Sequence, residues 1–109
     1  MPERAQTIAC LNDRLRTTLE GGRVLVTRGV HALGQDALQK IVAAVRHHST
    51  FTDDNDPFGE HDFGVIEGCG PKIFWKIDYY DTALSMHSPD PADPAVTTRV
   101  LTILLAEEY

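Results

Sequence analysis

The sequence has no hydrophobic run long enough to cross a bilayer. Its longest, Leu101 to Ala106 with Thr102 inside it, falls far short of the ~20 residues a helical span needs. The first residues, Met1-Pro2-Glu3-Arg4-Ala5-Gln6, form no apolar leader. We therefore expect a cytoplasmic protein with no membrane partner. Cysteine is scarce: Cys10 and Cys69 form neither a C-x-x-C pair nor zinc-ligand spacing. They are read as reduced, buried thiols that pack as small hydrophobes. There is no Walker A loop, no G-x-G-x-x-G, no G-x-S-x-G and no H-E-x-x-H. Nucleotide, dinucleotide and zinc-protease chemistry lose their usual signatures, and no cofactor is expected.

Positive charge is also short. Ten basic residues face sixteen acidic ones, for a net charge of −6, and the basic residues are scattered along the chain. An acidic surface repels phosphates, so direct nucleic-acid binding is disfavoured. What is present is ordinary globular composition, 42% hydrophobic and 24% charged over 109 residues, the length of one domain spanning 1–109.

The pattern predicts an α+β fold. Ile8, Leu11, Leu15 and Leu19 make a helical stripe over residues 3–20, stopped by Gly21-Gly22. Arg23 to Arg28 reads as a strand, and its apolar run Val24-Leu25-Val26 suggests a central one. Leu38, Ile41, Val42 and Val45 share one face of a helix over 35–48. A polar loop dense in turn formers follows. Residues 61–67 and 72–80 flank Gly68-Cys69-Gly70-Pro71 as a β-hairpin. Ile73, Trp75, Ile77 and Tyr79 form its core face, and Phe74, Lys76, Asp78 and Tyr80 the opposite one. Asp93-Pro94 reads as the N-cap and first position of a last helix over 94–108, carrying Val96, Val100, Ile103 and Leu104. The order is α-β-α-β-β-α: a small two-layer domain with a three-stranded sheet and helices on one face.

The densest polar cluster is Asp53, Asp54, Asp56, Glu60, His61 and Asp62. Read as an EF-hand from Asp54 it fails, because position 12 falls on Val65 where a bidentate Glu is required. His61 and Asp62 would need a distant ligand such as His31, Asp78 or His87 to hold a metal, so no metal site is expected. A solvated, turn-forming acidic loop explains the cluster. An acid–base enzyme would use His61 with Asp62 or with Asp78 across the hairpin. Adjacent strand residues point apart, which leaves Asp78 the better placed of the two.

Three stretches carry a resemblance. They are Arg23 to Gly29; Phe51 to Pro57 with Gly59 to Gly64 and Phe74 to Asp81; and Ser88 to Pro94 running into Val96 to Leu101. Together they resemble a family of small bacterial proteins of unknown function associated with plasmids and other mobile elements, over about residues 8–109. The resemblance transfers no activity, cofactor or catalytic residue. It implies a mobile-element setting, in which small acidic proteins block host proteins. The expectation is therefore a non-enzymatic protein-binding module that inhibits a host defence system, anti-CRISPR-like or a nucleic-acid mimic. Its partner would be a host or defence-system protein. The contact surface would combine Asp53, Asp54, Asp56 and Glu60 with the hairpin face Lys76, Asp78 and Tyr80. The alternative is a small hydrolase-type enzyme using His61 with Asp62 or Asp78, metal-assisted in one version.

Overall fold

The computed structural model describes the backbone of residues 2–109 and the side chains from Glu3 onward; Met1 lies outside the described residues. The elements are α1 (Pro2–Thr18), β1 (Arg23–Val26), a single-turn α2 (Arg28–His31), α3 (Gln35–His47), β2 (Phe63–Ile66), β3 (Ile73–Tyr80) and β4 (Thr98–Leu105). One 3₁₀ turn, Pro94–Val96, precedes β4, and another, Ala106–Glu108, follows it. Among the described residues no helix is long and apolar enough to cross a membrane.

The α+β class holds, but the sheet has four strands, in the order β1-β4-β3-β2. The last expected helix is the error. Asp93 does cap a helical turn, its carboxylate accepting the Ala95 N–H at 2.9 Å. Pro94–Val96 is the whole of that turn, and the chain then extends into β4. β4 lies between β1 and β3, with Arg99, Val100, Leu101, Ile103 and Leu104 all buried. Buried residues fall on both of its faces, Val100 and Leu104 on one and Leu101 and Ile103 on the other, so the strand shows no polar–apolar alternation. β1, expected at the centre, is an edge strand whose Leu25 is 53% exposed. It runs parallel to β4, while β2, β3 and β4 form an antiparallel meander.

The hairpin is present, narrowed to Phe63–Ile66 and Ile73–Tyr80. Ile73, Trp75 and Ile77 are buried as expected, together with Leu15, Ile41, Val45, Leu101 and Ile103. Each such side chain contributes on the order of 1.5–3 kcal/mol. Gly64 sits opposite Trp75 in the β2–β3 register. A Cβ there would collide with the indole ring, so the bare glycine backbone is what lets Trp75 lie flat under β2. α1 and α3 pack against each other on this side of the sheet. The α1 stripe is not purely apolar: Asn12 and Arg16 are buried beside Ile8 and Leu15, while Leu11 is half-buried. The thiols depart from expectation, Cys10 being exposed and Cys69 half-exposed.

Among the described residues no helix packs over the opposite face of the sheet, whose Leu25 and Tyr80 are exposed. Cross-strand rows on that face read Arg23–Val100–Asp78 and Leu25–Thr102–Lys76–Phe63. At one end Phe63, Phe74 and the terminal Tyr109 make an edge-to-face cluster, with ring centroids 5.2 to 6.3 Å apart.

Candidate functional site

The structure divides the expected contact residues into two groups. Asp53 and Asp54 stay exposed at the loop tip. Asp56 is buried, and its carboxylate accepts the N–H groups of Glu60 and His61, each at 3.1 Å. Glu60 accepts the Tyr79 hydroxyl at 2.9 Å. These two carboxylates hold the loop in place. Lys76, Asp78 and Tyr80 lie together on the uncovered face, where the Lys76 ammonium is 3.0 Å from Asp78 Oδ2.

Glu60 belongs to a polar network that no apolar stripe announces. The Arg99 Nε–H donates to Asn12 Oδ1 at 2.9 Å, and its guanidinium also bonds the Pro91 carbonyl. Asn12 Nδ2 donates to the Tyr79 hydroxyl at 2.8 Å and to the Glu60 carbonyl at 3.0 Å. Burial pushes the Tyr79 hydroxyl far above its ordinary value and pulls Arg99 below its own. Arg16 fastens α1 to the end of α3: its Nη1 donates to the carbonyls of Val45, Arg46 and His48. These carbonyls lie at the C-terminus of the helix, where the intrahelical ladder runs out. The guanidinium lies over the rings of Phe51 and Trp75.

His61 faces this network. Its backbone is left-handed, φ 55°, which turns the ring toward α1. Nδ1 lies 3.0 Å from both Asp13 oxygens, Nε2 is 3.7 Å from Asp56, and the ring stacks on Phe51 at 3.9 Å. The carboxylate partners of His61 are therefore Asp13 and Asp56. Asp62 and Asp78 line a different place, a cleft of about 320 Å³ with Tyr79, Tyr80 and His87. Burial holds the Asp62 carboxyl above the ordinary range, and the charges of Glu60, Asp56 and Asp78 push the same way. Among the described residues no group of three or more His, Cys, Asp or Glu side chains is arranged to hold a metal.

A second depression, a groove of about 370 Å³, runs along the uncovered face. Val100 and Thr102 line it from β4, Arg23 and Leu25 from β1, and Lys76, Asp78 and Tyr80 from β3. Leu84 adds a wall from the loop that follows β3. Asp81 builds that loop: its carboxylate accepts the N–H groups of Ser85 and Met86 and the Ser85 hydroxyl, and its carbonyl accepts the Leu84 N–H at 3.0 Å. Those bonds hold the Asp81 carboxyl below the ordinary range. Leu84 itself is left-handed, φ 59°, an unusual conformation for a leucine. Leu25, Tyr80 and Leu84 are 53%, 37% and 39% exposed, and Met86 stands on the same loop more exposed still.

Reading the sequence found Lys76, Asp78 and Tyr80 but missed Arg23, Leu25 and Leu84. Strand alternation marks the first three. The others reach the groove only through the β1–β4 pairing and the Asp81 loop, which no local pattern signals.

Neither a curated protein nor a solved structure matches the chain. A family model described as "Protein of unknown function (DUF3768)" matches residues 26–108, from the end of β1 through the final 3₁₀ turn. It takes in β2, β3, β4 and the Asp81 loop, and the chain belongs to the DUF3768 family.

Proposed function

We propose that this chain is a non-enzymatic protein-binding module that docks its partner on the uncovered sheet face. One observation carries the reading. Three of its exposed large apolar side chains, Leu25, Tyr80 and Leu84, converge on one groove beside a charged pair. Apolar groups gathered into a patch with a polar rim mark interaction sites, whereas scattered ones do not.

The distribution of acid supports docking through this face over phosphate mimicry. Among the described residues eight carboxylates are engaged within the molecule: Asp78 pairs with Lys76, and Asp13, Asp56, Glu60, Asp81, Asp90, Asp93 and Glu108 accept bonds from Arg16, backbone N–H groups, Tyr79, Ser85, Arg4, Ala95 and Thr27 among others. Much of the acidic excess thus builds loops. Asp53 and Asp54 remain as peripheral charges that tune the rate of encounter. The partner class is a bacterial host or defence-system protein, as the mobile-element resemblance implies, and the module would act by occupying that protein's surface.

The test is capture of partners from bacterial lysate by wild-type and variant proteins, read by mass spectrometry. Tyr80→Ala should weaken retention of a specific partner by about tenfold or more, as an aromatic anchor does. Asp54→Ala should have a small effect that fades with salt. Retention unaffected by Tyr80→Ala and abolished by Asp54→Ala at high salt would reject the reading.

A second reading rests on the Asp62 cleft. A carboxyl held above its usual range beside Asp78 and His87 is the arrangement of an acid–base pair. It would make the chain a small hydrolase in which His87, not His61, is the histidine beside Asp62 and Asp78. A panel of chromogenic esters and phosphoesters tests it: turnover lost in Asp62→Asn supports it, and no turnover removes it.

A further inference from the structure

We infer that the groove on the uncovered face binds an acidic–apolar segment of a partner protein: a large apolar side chain with a carboxylate beside it. The inference rests on the docking reading above and specifies what docks.

The apolar half of the site is preorganised. Leu25 comes from a strand pinned to β4, with Thr102 as its cross-strand neighbour. Leu84 comes from a loop tied three times to the Asp81 carboxylate and once to its carbonyl. A leucine in the left-handed region is strained, because its Cβ crowds the following carbonyl oxygen. The Asp81 bonds hold it there, so its side chain faces the groove before a partner arrives. Ordering costs that a flexible loop would incur on binding are already met. Tyr80 supplies a rigid ring of the kind that dominates binding surfaces.

The charged half selects the sign of the partner. The groove holds two cations against one carboxylate. Lys76 and Asp78 satisfy each other at 3.0 Å, whereas Arg23 has no ion-pair partner among the described residues. In the cross-strand row Arg23–Val100–Asp78, the guanidinium and the committed carboxylate stand on opposite sides of an apolar floor. In a chain of net charge −6, this groove is a locally cationic place. A carboxylate entering beside Arg23 gains a partner that guanidinium geometry suits, while an ammonium meets two like charges. A second copy of this chain is the main competing occupant, since open sheet faces also stack on one another.

The experiment uses the intact, isotope-labelled protein and four synthetic peptides of equal length. Three carry one phenylalanine flanked by Asp, Asn or Lys, and the fourth replaces that phenylalanine with Ala between Asp residues. NMR shifts of the Leu25, Leu84 and Val100 methyls report the site. The Asp–Phe peptide should bind at least about fivefold tighter than the Lys–Phe peptide, and Arg23→Glu should reverse that order. The Ala peptide should fail. Leu84→Gly relieves the backbone strain, so it should fold at least as well as wild type while binding the Asp–Phe peptide several-fold more weakly. Equal or tighter binding of the Lys–Phe peptide overturns the inference. So do shifts that map outside the groove, shifts that depend only on protein concentration, or no binding by any peptide. If a cellular partner is captured through Tyr80 yet is indifferent to Arg23→Glu, the docking reading survives and this inference does not.

Discussion

Lys76 and Asp78, two residues apart on one side of β3, close an ion pair at 3.0 Å on the uncovered face of the sheet. The hydrogen bond to Asp78 raises the Lys76 ammonium above its ordinary value. Both side chains are more than a third exposed, and such pairs contribute about 0–1 kcal/mol. A double-mutant cycle with Lys76→Ala and Asp78→Ala, read by urea denaturation, should therefore give a coupling below about 1 kcal/mol that shrinks with added salt. A larger, salt-insensitive coupling would make the pair a structural element.

Gly64 and Trp75 face each other across the β2–β3 ladder with no room between them for a methyl group. Gly64→Ala should cost about 1–3 kcal/mol, the usual penalty for overfilling a packed site. Trp75→Phe in the same background should recover part of that loss, because the smaller ring makes room. Denaturant midpoints of the two single variants and the double variant check the coupling. Simple additivity would place the strain elsewhere.

Much of the helical layer and the hairpin was legible because those elements keep their periods. Ile41 and Val45 recur at helical spacing, and buried Ile73, Trp75 and Ile77 alternate with the less buried Phe74, Lys76 and Asp78. β4 was not legible for the opposite reason. Val100, Leu101, Ile103 and Leu104 are buried on both faces, and their spacing coincides with a helical stripe. Thr98, Val100, Thr102 and Ile103 are β-branched, which was the available signal for a strand. Asn12 and Arg16 carry no such signal, since an apolar stripe marks only apolar residues and their burial depends on partners 29 to 87 residues away. The groove was half visible: alternation put Lys76, Asp78 and Tyr80 together, but the φ of Leu84 and the neighbour of β1 are tertiary facts.

The Asp62 carboxyl gives a pH signature. Its value is raised above 3.8 in the fold, chiefly by burial, so the protonated form is the favoured one there. Above pH 3.8 the unfolded chain ionises first, and the fold then loses stability until its own carboxyl ionises. Asp62→Asn should raise the urea midpoint at pH 7 relative to wild type, and the gain should vanish as pH falls below 3.8. A gain that is constant across pH would show that ionisation of Asp62 is not its source.

Arg16 ties three α3 carbonyls and Asp13 to α1 from a buried position. Arg16→Met removes the only side-chain donor to the Arg46 and His48 carbonyls among the described residues and weakens the bonding of Val45 and Asp13, and should cost roughly 3 kcal/mol. Arg16→Lys keeps the charge but lacks the planar fork, and should restore less than half of the loss. Thermal and urea unfolding of both variants check this. Full rescue by lysine would mean that charge alone does the work.

The docking claim is tested most directly by site-specific photo-cross-linking in bacterial cells. A photoreactive side chain is placed singly at position 25 or 84 in the groove, or at position 86 on the Asp81 loop beside it, and at exposed position 40 on α3 as the control. If the uncovered sheet face is where a partner sits, positions 25, 84 and 86 should trap one and the same protein, and position 40 should trap none above background. Trapping of a discrete partner from position 40 but not from positions 25, 84 and 86 would contradict the account.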